Sequence, residues 1–532
     1  MKKAALLAFV LLSVAPLFAR GNRWAYTYNG PAGLWDQAWR VVVRPDTTVY
    51  VCGDAQQNQI PLTLDMTIVG LTAAGMQRWV YNYGGPGFLA DQALDMIAPA
   101  DGNLYVCGAS YDLTTGDDFT ILSLTDSGPK RWVYRYATPG IDVAKAVTMT
   151  VDGYVCAAGY TEDEMYFTVL SMLPCGHENW VYRMARGGAQ AILARPDTTV
   201  YAAGYVSDSA TGGQADIGVV CLWKDGTRKW LYTYDGPGHA GDTAWAMRLS
   251  DNGKLYVVGH SNGGATGTDL VVICLNAADG NEEWVYRRDG GSNGFDLGTS
   301  IACGPHGEIY AGGMTMADSG FSFTVVSLTA QGGEDWVFRD TGGHAQALNI
   351  AAALVCDDSG NVYAGGEIAG TESTYTDATV ISLARDGARR WRYDYAGPGR
   401  FRDNFGSIDR GPDGNIYACG TTGEPPNCDW VVVSLTAAGA VAEPQTANGI
   451  RHTVSATTVF RDNIVVNLNR PPAPTLRFRL CDVAGRVVVA GRASASGGRV
   501  VLRDPGLARL GTGCYFLTLE PVGVQFKLVK IE

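Results

Sequence analysis

From residue 24 to residue 435 large apolar side chains recur with period two, in short runs separated by glycine-rich polar turns. Trp79, Tyr81 and Tyr83 stand at alternate positions. A strand puts all three rings on one face, whereas a helix would scatter them. The Trp-x-aromatic run occurs eight times, starting at Trp24, Trp79, Trp132, Trp180, Trp230, Trp284, Trp336 and Trp391, at intervals of 48 to 55 residues. Between successive copies lie a Tyr-led strand closing on glycine, as in Tyr50 to Gly53 and Tyr256 to Gly259, and a β-branched run closing on leucine, as in Val325 to Leu328. With Asp-Gly, Gly-Pro and Asn-Gly turns between them, each repeat holds four short strands, the content of one propeller blade. Eight copies predict an all-β, eight-bladed β-propeller. A lone four-stranded sheet cannot bury both faces, so the blades must pack on one another and the ring must close to remove exposed edges.

The phase of the repeat predicts how closure happens. The chain enters on an aromatic strand at Trp24, while the eighth copy stops at Leu435 without a Trp-x-Tyr run. The N-terminal strand should therefore complete the last blade. Before it, Lys2-Lys3, an apolar stretch from Ala4 to Phe18 and Ala19 read as a secretory signal peptide over 1–19. No later window reaches 18 apolar residues, so no transmembrane segment is expected in the mature chain. The propeller is assigned to 22–437 and a linker to 438–455. Alternating Leu476, Phe478, Leu480 and Val487, Val489 predict a small β-sandwich over 456–532.

With 46% hydrophobic and 18% charged residues the chain is not disordered. A net charge of −12 without a Lys/Arg run argues against nucleic acid or an anionic membrane as partner. Twelve cysteines in an exported chain suggest disulfides, but Cys52, Cys107, Cys156 and Cys419 share a repeat slot that other copies fill with small apolar residues. They are expected to be buried filler. Cys481 and Cys514 form the one pair that a disulfide would join.

The most regular polar feature is an acid at the head of each strand preceding the Tyr-led one: Asp36, Asp91, Asp142, Asp242, Asp296 and Asp403. Symmetry arranges them around one mouth of the channel, where they could hold a cation or a polyhydroxylated ligand. Equally, each could cap its own turn by accepting backbone hydrogen bonds. The copies near Gln190 and Gln346 lack the acid. His177, His239, His260, His306, His344 and His452 show no zinc-type spacing, and no Walker loop, GxSxG elbow or dinucleotide fingerprint occurs. No catalytic residue, metal or cofactor is assigned. Trp35, Trp39 and Trp245 fall near the mouth, where rings either stack on sugars or fill core.

The stretch from Asp269 to Trp284, followed by Gly290-Gly291, Asp296 and Gly307 to Gly313, resembles the bacterial β-propeller repeat called SBBP. A Leu-x-x-x-x-Gly-x-x-x-Trp core, shortened at Leu71 to Trp79, is also similar to the tryptophan-docking repeat of quinoprotein propellers, without their adjacent cysteines. The tail, with Asp482-Val-Ala-Gly485-Arg486, Gly513-Cys-Tyr515 and Phe526 to Lys530, resembles the C-terminal sorting domain of type IX secretion cargo. These resemblances imply a secreted or cell-surface binding or adhesion scaffold, exported through its tail, with an unidentified glycan or protein as ligand. The alternative is an extracellular carbohydrate-active enzyme using carboxylates at the mouth.

Overall fold

The computed structural model describes residues 22–58, 63–87, 89–163, 166–207, 214–318, 320–343, 347–370, 375–397 and 401–438, and shorter stretches between 454 and 530. The expected leader over 1–19 and most of the expected linker lie outside the described residues. The chain divides into two compact units, one ending at Glu443 and the other beginning at Pro444.

The first unit is an eight-bladed β-propeller of four-stranded antiparallel sheets. Blade 1 runs from its inner strand Asp36–Val43 through Val49–Asn58 and Thr63–Leu71 to its outer strand Gln77–Tyr83. Blades 2 to 7 repeat this order, with inner strands Gln92–Ile97, Val143–Met149, Gly187–Ala194, Thr243–Leu249, Leu297–Cys303 and Ile350–Cys356. Blade 8 is built from both ends of the propeller sequence. Asn404–Arg410, Ile416–Glu424 and Asn427–Leu435 take Asn22–Tyr28 as fourth strand, with Tyr26 opposite Val432 and Tyr28 opposite Trp430. The expected closure by the N-terminal strand is thus found.

Two glycine positions explain why the repeat is so strict. In every blade the inner strand bulges, and the carbonyl just before the bulge presses on the glycine that ends the Tyr-led motif. A Cβ at Gly53, Gly108, Gly259 or Gly420 would lie 1.8 to 2.0 Å from that oxygen, which no side chain tolerates. The second position is the turn after the third strand. Gly128, Gly226 and Gly332 adopt φ values of 106°, 82° and 82°, and the Trp of the preceding blade lies flat on each. The indole N–H then donates to that turn: Trp24 Nε1 to the Ala73 carbonyl at 2.9 Å, Trp180 to Lys224 at 2.7 Å, Trp336 to Arg385 at 2.8 Å. Trp230 is the exception. Its turn, closed by Asn276 and Asn281, carries one more residue, and its Nε1 is left without a partner.

Between adjacent blades the two sheet faces bury one core each, as with Tyr363, Val380, Tyr393, Phe405, Val431 and Val433 between blades 7 and 8. Cys52, Cys107, Cys156, Cys221, Cys274 and Cys419 are buried there as small apolar filler, and burial pushes the Cys156 and Cys221 thiols up to about 12. Trp430 is fully buried and donates to the Asp54 carbonyl at 3.1 Å, filling the junction of blades 8 and 1.

The second unit is mainly antiparallel β, with Val459–Phe460 pairing in parallel with Gln525–Lys530. Thr475–Cys481 pairs with Val487–Ser496 on one side and Gly513–Glu520 on the other, and Gln525–Lys530 extends the latter. Phe478 and Leu480 are buried while Arg477 and Arg479 are exposed, so one face of this sheet covers a core. Cys481 is a free thiol, and the side chain of Cys514 lies outside the described residues.

Candidate functional site

Each acid of the expected ring is buried and locks the loop that leads into its inner strand. One carboxylate oxygen accepts from the loop, the other from the neighbouring Tyr-led strand. Asp36 takes the N–H groups of Gly30 (2.5 Å) and Gln56 (2.8 Å), and Asp91 those of Gly85 (2.6 Å) and Tyr111 (2.8 Å). Asp142 takes Thr138 and Glu162, Asp242 takes Gly236 and Asn262, Asp296 takes Gly290 and Met316, and Asp403 takes Gly397 and Gly423. These bonds account for the recurrence of the acid as loop architecture. The two exceptions have different causes. Entering blade 4, the loop shrinks to Arg186 alone, at φ 61°, just before the strand that carries Gln190. Entering blade 7, Asn349 fills the slot, accepting from Ala369 N (2.7 Å) and donating to the Thr341 and Phe321 carbonyls. His344 and Gln346 lie outside the described residues.

A second row of acids escaped the sequence reading. Asp65, Asp118, Asp216, Asp269, Asp377 and Asp429 each head the third strand of a blade, beside the ring acid of the next blade. The two rows are 24 to 27 residues apart along the chain where both lie in one run, and they are present or absent together: where Gly187 and Asn349 replace the ring acid, Tyr166 and Ser322 replace its neighbour. Burial, the charge of the neighbour adding to it, holds Asp36, Asp91 and Asp377 up at about 6. Arg135 and Arg287 neutralise Asp118 and Asp269. At the junctions flanking blade 5 a third acid joins. Asp216, Asp235 and Asp242, and Asp269, Asp289 and Asp296, bring carboxylate oxygens within 4.8 Å of one another, donor sets of the kind a hard cation takes.

The same face carries aromatic rings. Antiparallel order puts the loops entering each inner strand and the loops between second and third strands at one end of the ring. Of the large apolar side chains exposed on the propeller, Trp35, Leu89, Leu113, Ile141, Phe295, Tyr375 and Phe401 lie in those loops. Trp245, third in its inner strand, joins them. Its Nε1 donates to His260 Nδ1 at 3.0 Å, and His260 sits 5.9 Å from Phe295 between ring centroids. Burial lowers His260 to about 4, so it is a neutral acceptor. In blade 1 the equivalent pair is Trp39 and Asp54, at 2.6 Å, with burial raising Asp54 to about 7. The position after the Tyr-led glycine thus holds Asp54, His260 and, paired with Arg402, Glu367. Each is one of a kind in the repeat.

The inner strands enclose a channel of about 660 Å³. Its charged lining is Arg40, Asp95, Lys145, Arg248 and Asp409. Arg40 pairs with Asp95 at 3.2 Å, Asp95 also accepts from Val147 N at 2.9 Å, and Asp409 accepts from Val43 N at 2.8 Å. Burial raises both carboxyls, against these contacts and the Arg40 charge. None of these five residues was singled out in the sequence, because charge recurs at none of their slots often enough to give a periodic signal.

A family model described as a domain of unknown function, DUF5122, beta-propeller, matches residues 251–281, the second and third strands of blade 5. No curated protein matches the chain. Among solved structures, Sqt1 of Saccharomyces cerevisiae is 8% identical, with 77% of this chain and 98% of that one covered at a TM-score of 0.51. A europium-containing methanol dehydrogenase is 11% identical, with 79% and 95% covered at 0.49. PorZ, a surface component of the type-IX secretion system of Porphyromonas gingivalis, is 12% identical, with 96% and 70% covered at 0.38. At such identities the likeness is one of fold, and by fold this chain is an eight-bladed β-propeller followed by a separate β unit.

Proposed function

We propose that this chain is a secreted or cell-surface binding scaffold, an SBBP-type propeller exported through a C-terminal sorting domain of sandwich type, which grips an extracellular glycan at the loop face. The observation that carries the reading is the one-sidedness of the exposed apolar side chains: seven occupy the loops of one face and Trp245 adjoins them, against Val151 and Trp223 in the loops of the other. Exposed apolar patches of this kind are rare on a surface that has no partner. Rings stack on the apolar faces of sugar units, and the half-buried Asp216 and exposed Asp235 beside them accept from sugar hydroxyls. The ring acids Asp36, Asp91, Asp142, Asp242, Asp296 and Asp403 serve this surface by fixing the loops that carry the rings.

The test is binding of the full chain to a panel of immobilised polysaccharides, repeated with Trp245→Ala and Phe295→Ala. Retention on at least one polysaccharide, weakened tenfold or more in both variants at unchanged melting temperature, is expected. Absence of retention, or variants that bind as the parent does, would remove this reading.

A further inference from the structure

The repeat supplies its own reference for what the channel wall needs. Counting from the bulge, one ring of equivalent inner-strand positions holds Val42, Ile97, Thr148, Leu193, Ala302 and Val355 in six blades. Small or apolar side chains therefore suffice to close the wall. The other two members are Asp409 and Arg248. Asp409 has an internal use, since its two oxygens accept from Val43 N and Arg410 N, both at 2.8 Å. Arg248 makes no ion pair or hydrogen bond among the described residues, and its exposed guanidinium acts on Asp409 only as a more distant charge. A guanidinium without such a partner, set in a channel, is available to a ligand.

The charges are also sorted by wall. On blades 8, 1 and 2 one cation, Arg40, stands among two carboxylates, Asp409 and Asp95, a net of −1. On blades 3 to 5 Lys145, whose ammonium lies 5.6 Å from the Tyr160 ring centroid, and Arg248 give +2, with the amide of Gln190 on the blade between them and no carboxylate in the lining. This doubly positive wall belongs to a protein of net charge −12. Between the protein walls of a channel such charges act through a medium less screening than bulk water, which strengthens their pull on a counter-charge.

We infer that the wall formed by blades 3 to 5 binds a small organic polyanion, carrying carboxylate or phosphate groups, inside the channel. Arg248 offers the planar fork that matches either group in two parallel N–H bonds, Lys145 adds a second positive charge, and Gln190 can donate its amide N–H. A cavity of about 660 Å³ is in the range of sites that enclose a compact ligand. Trp39 lines the same cavity, so this site adjoins the aromatic loop face while using different charged groups.

Calorimetric titration of the full chain with citrate and with pyrophosphate, at one ionic strength, tests the inference, with neutral maltose as control. Binding of at least one anion and not of maltose is expected, weakened about tenfold in Arg248→Gln and severalfold in Lys145→Gln. Phe295→Ala, on the loop face, and Lys229→Gln, on the outer strand of blade 4, should titrate like the parent. Absence of anion binding, an Arg248→Gln variant that binds unchanged, or a Lys229→Gln variant that loses as much would overturn it. Loss of glycan retention in Phe295→Ala with anion binding intact would show that the two surfaces stand or fall separately.

Discussion

Asp242 accepts two N–H bonds through different oxygens, from Gly236 and Asn262, whereas Asn349 in the same slot accepts one and donates the other way to the Thr341 and Phe321 carbonyls. The chemistry of the slot is set by which group the entering loop turns inward. Asp242→Asn therefore faces an amide N–H with the Gly236 N–H, and Asn349→Asp faces a carboxylate with two carbonyl oxygens. Each exchange should cost about 1–3 kcal/mol, read as a loss in denaturant midpoint at unchanged slope. A tolerated Asn349→Asp would mean that the loop entering blade 7 re-forms freely. The ring acids were legible in the sequence because they recur at one phase. The second row recurs at one phase too and could have been read the same way; what the sequence does not show is the pairing, since Asp216 and Asp242, or Asp269 and Asp296, sit on different blades and meet only when the blades pack. Asp54, His260 and Glu367 were invisible for another reason: a residue that breaks a repeat carries no periodic signal.

At the scale of the element, the strand Asn22–Tyr28 has no blade of its own. It pairs along Asn427–Leu435, and Trp24, Tyr26 and Tyr28 pack on a core shared by blades 8 and 1. Removing residues 22–28 exposes an edge of six paired positions and the rings beneath it. Each half-buried ring contributes roughly 1 kcal/mol or more from its area alone, so the whole propeller should melt earlier, in one calorimetric transition, rather than lose one blade. An unchanged melting temperature would count against the closure. This element could be read from the sequence because the eighth copy ends at Leu435 with no Trp-x-Tyr run after it while an extra one opens the chain at Trp24, an arithmetic of copies that needs no structure. The bulge in every inner strand could not: it appears only as an invariant glycine, and the carbonyl that excludes a Cβ comes from the neighbouring strand.

At the scale of the whole molecule, burial raises the carboxyls of Asp36, Asp91 and Asp377 to about 6 and that of Asp54 to about 7. Their ordinary value is 3.8, so between that value and the raised one the folded chain holds protons that the unfolded chain has released. The stability they contribute is complete below the ordinary value and is lost as pH climbs through about 6 to 7. Acids lowered by local bonds, such as Asp101 and Asp357, act oppositely and lose their contribution only as pH falls through their depressed values. The melting temperature should thus fall from about pH 5 to about pH 8, and Asp54→Asn should flatten the upper part of that fall. A melting temperature that rises over this range would contradict the burial of these groups.

Period-two rings, eight copies and turn glycines determine strand, blade and ring, because each is a local or repeated property: alternation sets the face, copy number sets the blades, and an unpaired edge demands closure. Chemistry is different. Whether Asp296 is a ligand group or a loop lock, whether Trp245 is core or rim, and that Arg40, Asp95, Lys145, Arg248 and Asp409 share one channel were decided only by tertiary structure. Those properties depend on which blades are neighbours and which side chains reach a common space, and side chains some 50 residues apart or more in the chain meet there only because the ring closes.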